Sequence, residues 1–217
     1  RIHDVVSRML AAKQFLVIGL IILLFEVTSL ALLFAADSRT ALKILSMISA
    51  CHIGGRLAFI GAGFELGFTA LPLMLIIVVH NSAYVILTYS IFLLLSERIN
   101  KLKFIQNVHE KVQENRKLRS KWNIFSIAFF VWIPLPMTGA VVGALIAFFE
   151  GFDEHRTMSI VLPSMWFGVV SWTLAFDQLY HLLHAFNPKL TLGLTFLLLL
   201  LPLLYNFIKW TRKREAM

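Results

Sequence analysis

Four long and almost uninterrupted apolar stretches constrain this chain more than any other feature of its sequence. They cover residues 15–36, 69–95, 157–183 and 190–210. A helix rises ~1.5 Å per residue, so each stretch is long enough to cross a hydrocarbon core of ~30 Å. Charged residues make up only 15% of the chain, against about 25% in soluble domains. The sequence therefore predicts an all-α, polytopic membrane protein, with residues 1–217 forming one membrane domain.

Two further apolar stretches are interrupted by residues that disfavour a continuous helix. Residues 41–66 contain His52, Gly54, Gly55 and Arg56, and residues 123–149 contain Pro134-Leu135-Pro136 followed by Thr138-Gly139. Proline lacks the N–H group that a helix interior requires, and it also disfavours helix for the residue before it. Each half of the second stretch has about 11 residues, or ~16 Å of helix, which reaches only the middle of a bilayer. We therefore expect both stretches to form helical hairpins.

The distribution of basic residues predicts where these hairpins enter the membrane. Lysine and arginine cluster at residues 98–121 and 209–214, and such clusters mark the cytoplasmic side. The spans at 157–183 and 190–210 already supply an even number of crossings between the two clusters, so residues 123–149 should be re-entrant from the cytoplasm. Arg1, Arg8 and Lys13 place the N-terminus inside, so residues 41–66 should be re-entrant from outside. Both termini are then cytoplasmic, in the cell (inner) membrane.

This arrangement divides the chain into two units of opposite orientation, each a re-entrant hairpin followed by a spanning helix. The units cover residues 41–97 and 123–184, and the letters ALPLM at 70–74 resemble VLPSM at 161–165. Inverted repeats with broken helices are typical of secondary transporters. Residues 98–121 carry an apolar stripe at helical spacing and are predicted to form a cytoplasmic amphipathic segment. Residues 15–36 are too long for a signal-peptide core and are predicted to remain as the first span.

The hairpin breaks hold the best candidates for a substrate or ion pathway, because irregular backbone inside a membrane must be buried in protein or line a cavity. Free N–H groups at the start of a half-helix suit an anion. Arg56 is a candidate ligand for an anionic substrate, and tight packing of the hairpin turns is the alternative interpretation. The candidate pathway residues are Arg56, Gly54, Gly55, Asn81, Pro134, Pro136, Thr138 and Gly139.

Three carboxylates are candidates for ion coupling, because ionisable groups at membrane depth are costly and usually functional. Glu26 is central in the first span and is either a coupling-ion site or an interhelical hydrogen-bond anchor. Glu65 either titrates or ends the first hairpin at the outer surface. Asp177 either holds a proton or lies near the outer interface beside Tyr180, His181 and His184. His80, Asn81 and Ser82 form a polar belt in the second span, and residues 153–156 are predicted to form a solvated cytoplasmic loop.

Several classes of protein are disfavoured by what the sequence contains. The net charge is +8, but the basic residues flank apolar segments and no nucleic-acid recognition motif accompanies them. Cys51 is the one cysteine, so no intrachain disulfide can form. Cys51, His52 and His80 lack the spacing of a metal site. We expect no enzyme activity, no cofactor and no metal, because no nucleophile–base pair or phosphate loop occurs.

The segment FVWIPLPMTGAVVGALIAFFEG, residues 130–151, resembles the small multidrug export protein family. Its Pro-x-Pro-x-Thr-Gly turn carries the likeness, which extends over about residues 44–183. Arg56 matches the arginine of a Glu-x-Arg element, and Asn81 matches the asparagine of a Gly-Asn pair. That family is similar in layout to the DedA-like group. The resemblance implies a proton-coupled exporter of a small amphipathic or anionic molecule.

Two alternatives stay open at this point. The chain could be a lipid flippase or scramblase of DedA-like type, with its hairpins open toward the bilayer. It could also be a structural subunit of a larger membrane complex, whose hairpins serve only for packing. The expected partners are membrane lipids, a small-molecule or lipid substrate, and further copies of the chain or other subunits of a membrane complex.

Overall fold

The computed structural model describes residues 2–99, 124–134, 139–186 and 193. Over these ranges the regular structure is entirely helical. The helices are α1 (Ile2–Ala36), α2 (Ser38–Glu65), α3 (Ala70–Ile99), α4 (Ile124–Trp132), α5 (Gly139–Phe149) and α6 (Glu154–Phe186). The all-α prediction is confirmed. Three predicted spans coincide with α1, α3 and α6, whereas the predicted span at 190–210 and nearly all of the segment 98–121 lie outside the described residues.

Among the residues that the structure describes, four helices are long and apolar enough to cross a membrane. They contain the segments Arg8–Ala36, Ser38–Glu65, Ala70–Leu95 and Glu154–Leu183. The second of these is α2, which the sequence predicted to be a broken stretch. Only Gly55 leaves the helical conformation there, with φ 78° and ψ −162°. His52, Gly54 and Arg56 remain helical, so the break is narrower than predicted.

One hydrogen bond shows that α2 is not straight. The Lys43 Nζ atom donates to the Leu66 carbonyl oxygen at 2.8 Å. In a straight helix a rise of ~1.5 Å per residue would separate these two residues by ~35 Å, far beyond the reach of a lysine side chain. The two parts of α2 must therefore fold back on each other at Gly55. Whether this hairpin returns to the same membrane surface stays a prediction.

The second interrupted stretch is divided where the prolines predicted. Helix α4 ends at Trp132, just before Pro134, and α5 begins at Gly139. The two short helices pack against each other. A Cβ atom at Gly143 would collide with the Val131 side chain, so α5 approaches α4 through its small residues. Pro136 and Thr138 lie outside the described residues.

Local hydrogen bonds determine where the helices begin and end. The Asp37 carboxylate caps α2 by accepting hydrogen bonds from the backbone N–H groups of Arg39 and Thr40, both at 3.1 Å. The Thr40 hydroxyl also donates to Asp37 at 2.6 Å. These bonds, the Thr40 hydroxyl first among them, hold the pKa of Asp37 below its usual value. Such capping satisfies N–H groups that have no partner within the helix.

The two hairpins end in the same way. Phe68 N–H donates to Gly63 O and Gly67 N–H to Phe64 O, both at 3.0 Å. Phe152 N–H donates to Ala147 O at 3.0 Å and Gly151 N–H to Phe148 O at 2.9 Å. Both patterns are Schellman motifs, in which a glycine with positive φ closes the helix. The closing glycines have φ values of 85° and 84°.

Contacts between Cα atoms divide the chain into two compact units. Of the described residues, the α2 unit comprises 28–78, 134, 168–186 and 193. Its core consists of α2 side chains packed on the beginning of α3 and the later part of α6, and Phe59, Ile60 and Leu73 are fully buried in it. Phe64 stacks on Phe176 and on Tyr180, with ring centroids 5.9 Å and 5.3 Å apart.

Of the described residues, the α4–α5 unit comprises 2–27, 79–99, 124–133 and 139–167. Its core joins α4 and α5 to the later part of α3 and the beginning of α6, including the buried residues Tyr89, Ile127 and Val161. The predicted solvated loop at 153–156 is wrong, because Glu154 already begins α6. Glu154 is 6% exposed, and its Oε1 atom lies 3.5 Å from Arg8 Nε. Burial of a paired carboxylate at a helix start is favoured by the charge of its partner and by the helix dipole.

Candidate functional site

Arg56 lies immediately after the break in α2. It is 8% exposed, and Gly54 and Gly55 are also buried. The positive φ of Gly55, combined with ψ near 180°, is a conformation that only glycine adopts readily, so the sequence can turn there without side-chain strain. Arg56 therefore begins the returning half of α2, which ends at Glu65. The sequence placed Arg56 at a break, and the structure agrees.

The α2 break carries positive charge. A helix N-terminus carries a partial positive charge, and an arginine beside it adds a full one. Cys51, one turn before the break, interacts electrostatically with Arg56. A buried guanidinium offers several N–H donors in a planar arrangement that fits carboxylate or phosphate oxygens. This arrangement suits an anionic group, and anion binding at the α2 break stays a prediction.

The break between α4 and α5 has a different chemistry. Pro134 is half-buried and Gly139 is buried. A Cβ atom at Gly139 would lie 3.5 Å from the Ile133 carbonyl oxygen, so the returning helix starts close to the backbone that precedes the break. The first N–H groups of α5 have no partner within the helix. This break offers backbone donors and small residues and, among its described residues, no charged side chain.

Glu26 and His80 come together in the α4–α5 unit. The His80 Nδ1 atom lies 2.8 Å from Glu26 Oε1, and the two side chains are 16% and 13% exposed for Glu26 and His80 respectively. Beside them, Trp166 Nε1 donates to the Ser82 hydroxyl at 2.9 Å. Asn81 is half-buried on the same turn of α3. The predicted polar belt at 80–82 thus includes two side chains with interhelical hydrogen bonds.

The other two candidate carboxylates lie in the α2 unit. Glu65 is the last residue of α2 and interacts electrostatically with Tyr180. Asp177 Oδ1 lies 3.4 Å from Nε2 of His181, one turn later on α6, and the His181 side chain is 75% exposed. Asp177 is six residues before the end of the apolar segment Glu154–Leu183, or ~9 Å along the helix. Both interpretations of each carboxylate therefore stay open.

Two partners were not predicted from the sequence. His80 was assigned to a polar belt and Glu26 to a separate coupling role, although they form one pair across 54 positions of sequence. Lys43 was not singled out, yet it bonds to Leu66 across the α2 hairpin. The small residues Ala12 and Gly19 on the same helical face indicate that this side of α1 packs closely, but nothing in the sequence pointed to His80 as the partner of Glu26. In the part of the chain that the structure describes, no three His, Cys, Asp or Glu side chains are placed to hold a metal ion.

Comparison with known proteins identifies one family. A sequence profile described as small multi-drug export protein matches residues 56–175. The match begins at Arg56, includes the Pro-x-Pro-x-Thr-Gly turn, and ends at residue 175, two residues before Asp177. No curated protein and no solved structure matches the chain significantly. The matched residues make up more than half of the sequence, so the chain belongs to the small multidrug export protein family.

Proposed function

We propose that this chain is a secondary membrane transporter that exports a small amphipathic or anionic molecule in exchange for protons. The family match and the apolar helices support membrane transport. The observation that carries the choice of substrate is Arg56, a buried cation at the break of α2. A charge at such a position is costly and is retained in membrane proteins mainly for function.

The α2 break supports an anionic substrate for a physical reason. Arg56 and the N-terminal dipole of the returning half-helix both attract negative charge. A substrate carboxylate or phosphate would lower the electrostatic free energy of the site, whereas an organic cation would raise it. An amphipathic anion also has an apolar part, which suits a protein whose surface is largely apolar.

The regular arrangement of glycines supports an inverted-repeat architecture of DedA-like layout. Gly55 begins the return of the first hairpin and Gly67 closes it, twelve positions later. Gly139 begins the return of the second and Gly151 closes it, also twelve positions later. In each case the long helix starts three residues after the closing glycine. Each of these features of the first hairpin therefore recurs 84 positions later in the second. The ALPLM and VLPSM segments are 91 positions apart, seven more than this spacing.

The proposal is tested by efflux from proteoliposomes that contain the purified full chain. The probes are calcein, an organic anion, and ethidium, an organic cation. We expect calcein efflux to exceed ethidium efflux and to fall at least about tenfold in Arg56→Gln, since a hydrogen bond to a charged group contributes ~1.5–3 kcal/mol. Arg56→Lys should retain part of the activity because it keeps the charge.

Arg39→Gln is the matched control, because Arg39 is an exposed arginine of the same helix. It should leave calcein efflux unchanged. Size-exclusion profiles establish that each variant is folded. Calcein efflux that persists in folded Arg56→Gln would contradict the role of Arg56. Movement of a fluorescent phospholipid without calcein efflux would favour the lipid flippase or scramblase, and movement of neither would favour a structural subunit of a membrane complex.

A further inference from the structure

Glu26 lies on a narrow face of α1 that points into the protein. The buried or half-buried positions of this helix recur mostly at the three- and four-residue spacing of one helix face; they are Ala11, Ala12, Phe15, Leu16, Gly19, Ile22, Glu26, Leu30 and Leu33. Large apolar side chains on the remaining faces are exposed, for example Leu24 at 67%. Within the described residues after Lys13, Glu26 is the one ionisable side chain of α1, and it lies on the packed face.

The contacts of this face show how α1 runs against α3. A Cβ atom at Gly19 would lie 2.8 Å from the Leu87 side chain, and seven residues later Glu26 meets His80. As α1 advances by seven residues, its partner on α3 moves back by seven, so the two helices are antiparallel. The close approach at Gly19 brings the helix axes together and holds the two ionisable groups within hydrogen-bond distance.

Both members of the pair lie near the middle of their apolar segments. Glu26 is ten residues before the end of the segment Arg8–Ala36, and His80 is ten residues after the start of Ala70–Leu95. At ~1.5 Å per residue, each lies ~15 Å from that end, or half the thickness of a ~30 Å hydrocarbon core. An interhelical anchor at this depth needs only a neutral hydrogen bond. A carboxylate and an imidazole form a more costly arrangement, whose net charge depends on bound protons.

One oxygen of the Glu26 carboxylate accepts no hydrogen bond from the described residues. Glu26 Oε1 faces His80, whereas Glu26 Oε2 is buried and has no hydrogen-bond partner among the described residues. A buried acceptor of this kind is costly when it is left unsatisfied. Protonation at Oε2 would remove the negative charge while His80 keeps its hydrogen bond to Oε1.

We propose that Glu26 and His80 form the proton-binding site of this transporter, an assignment that rests on the proposed function. A proton delivered from water binds a lone pair of Glu26 Oε2, and no other bond of the protein breaks. This proton removes the negative charge of a buried carboxylate, so the desolvation cost of that carboxylate falls. Glu26 precedes the residues 56–175 that match the family, and His80 lies within them.

The remaining ionisable groups on the helices that pack around the pair lie further along the unit. On α1 the nearest described one is Lys13, ~20 Å from Glu26 along the axis. Glu154 pairs with Arg8, and Arg156 lies over the Phe152 ring at 4.5 Å. Among the side chains of the α4–α5 unit that the structure describes, the other titratable or charged ones are Arg8, Lys13, Tyr84, Tyr89, Glu150, Asp153, Glu154, His155 and Arg156.

Proton binding is measured first, by a method that does not depend on transport. Infrared difference spectra of the reconstituted full chain are recorded between about pH 5 and about pH 8, the range in which histidine and its partners commonly change charge. We expect the carbonyl band of a protonated, buried carboxylic acid, and we expect it to be lost in Glu26→Gln and shifted in His80→Gln. A band that is unchanged in folded Glu26→Gln, or no such band in the wild type, overturns the assignment.

Coupling is measured next, with calcein inside the vesicles and a pH-sensitive dye reporting proton flux. Wild-type protein should accumulate calcein against its gradient when a pH gradient is imposed. Glu26→Gln should lose this accumulation but keep downhill calcein exchange. Ser82→Ala is the control, because it removes the neighbouring interhelical bond from Trp166 and no ionisable group; it should keep both activities.

The outcomes separate the two proposals. Downhill calcein movement without proton flux in the wild type would refute proton coupling and leave transport standing. The infrared band without calcein movement would refute the transport of this probe and leave the proton site standing. If the pair is purely structural, Glu26→Gln and Ser82→Ala should behave alike. Both variants should have a lower melting temperature, and in both the calcein accumulation should depend on the pH gradient as it does in the wild type.

Discussion

Gly55 combines φ 78° with ψ −162°, and residues with a Cβ atom avoid this region of backbone conformation. The sequence around it contains three further residues that interrupt a helix pattern, His52, Gly54 and Arg56, so the exact residue of the turn could not be predicted. Local preference alone leaves four positions open. The choice depends on which residue can place Lys43 beside Leu66 and bury Phe59 and Ile60 in one core.

The first prediction at this scale compares two glycines with positive φ. Gly55→Ala should lower the free energy of unfolding by about 1–3 kcal/mol, because alanine is strained at this φ and ψ. Gly67→Ala should cost only about 1 kcal/mol, since its φ of 85° lies at a helix end where the left-handed conformation is only moderately unfavourable. A Cβ atom there would meet no described atom within 4 Å.

The measurement is the midpoint of unfolding in detergent for both variants and the wild type. Gly67→Asn serves as the control, because asparagine tolerates the left-handed region and should fall between glycine and alanine. Equal losses for the two alanine variants would show that the turn at Gly55 is not maintained in the folded protein.

The Glu26–His80 pair illustrates what residue-level reasoning misses. Each residue was recognised alone, because an ionisable group stands out in an apolar segment. Their contact joins two helices and spans 54 positions, so no local pattern connects them. The partnership became visible only when the face of α1 and the antiparallel direction of α3 were both known.

At the scale of helices, the prediction from the sequence was best where the covalent structure of a residue ends a helix. Pro134 has no N–H group, and α4 ends two residues before it. The prediction was weaker at residues 153–156, where charged side chains suggested a solvated loop. The first turn of α6 begins there instead, because Asp153 accepts a hydrogen bond from Arg156 N–H at 2.8 Å and Glu154 pairs with Arg8.

The second prediction concerns the contact between α4 and α5. A methyl group at Gly143 would collide with Val131, and overpacking of this kind costs about 1–3 kcal/mol. Gly143→Ala should therefore destabilise the protein, and Val131→Ala should also do so by leaving space. The double variant should recover most of the loss of Gly143→Ala, because the added methyl group then occupies the space of the valine side chain.

A double-mutant cycle on thermal unfolding gives the interaction free energy. Gly143→Ala combined with Ile127→Ala is the control, since Ile127 is equally buried on α4 but supplies none of the three atoms nearest to the Gly143 Cβ position. Additive effects in both double variants would contradict the direct contact between Gly143 and Val131.

At the scale of the whole molecule, the central question is which helices cross the bilayer. Length and composition allow α2 to cross, whereas the distribution of basic residues predicts that it does not. The bond between Lys43 and Leu66 supports the second view, because it places the beginning and the end of α2 side by side. The composition of the chain was sufficient to predict membrane helices, but it contains no information on whether a given helix turns back.

The last prediction tests this directly by cysteine accessibility in intact cells, in a Cys51→Ser background. Ser38→Cys and Thr69→Cys flank α2, and Leu95→Cys lies at the far end of the apolar part of α3; all three positions are exposed. If α2 is re-entrant, a membrane-impermeant maleimide should label residues 38 and 69 from the outside, and residue 95 only after the cells are opened. If α2 crosses, residues 38 and 95 should behave alike and residue 69 should differ. No apolar stretch separates residue 95 from residue 107, so Asn107→Cys should behave like Leu95→Cys, and the basic segment 98–121 is expected inside. Labelling of residues 38 and 107 together in intact cells would contradict a re-entrant α2, whereas labelling of residue 107 without residues 38 and 69 would reverse the predicted orientation of the whole chain.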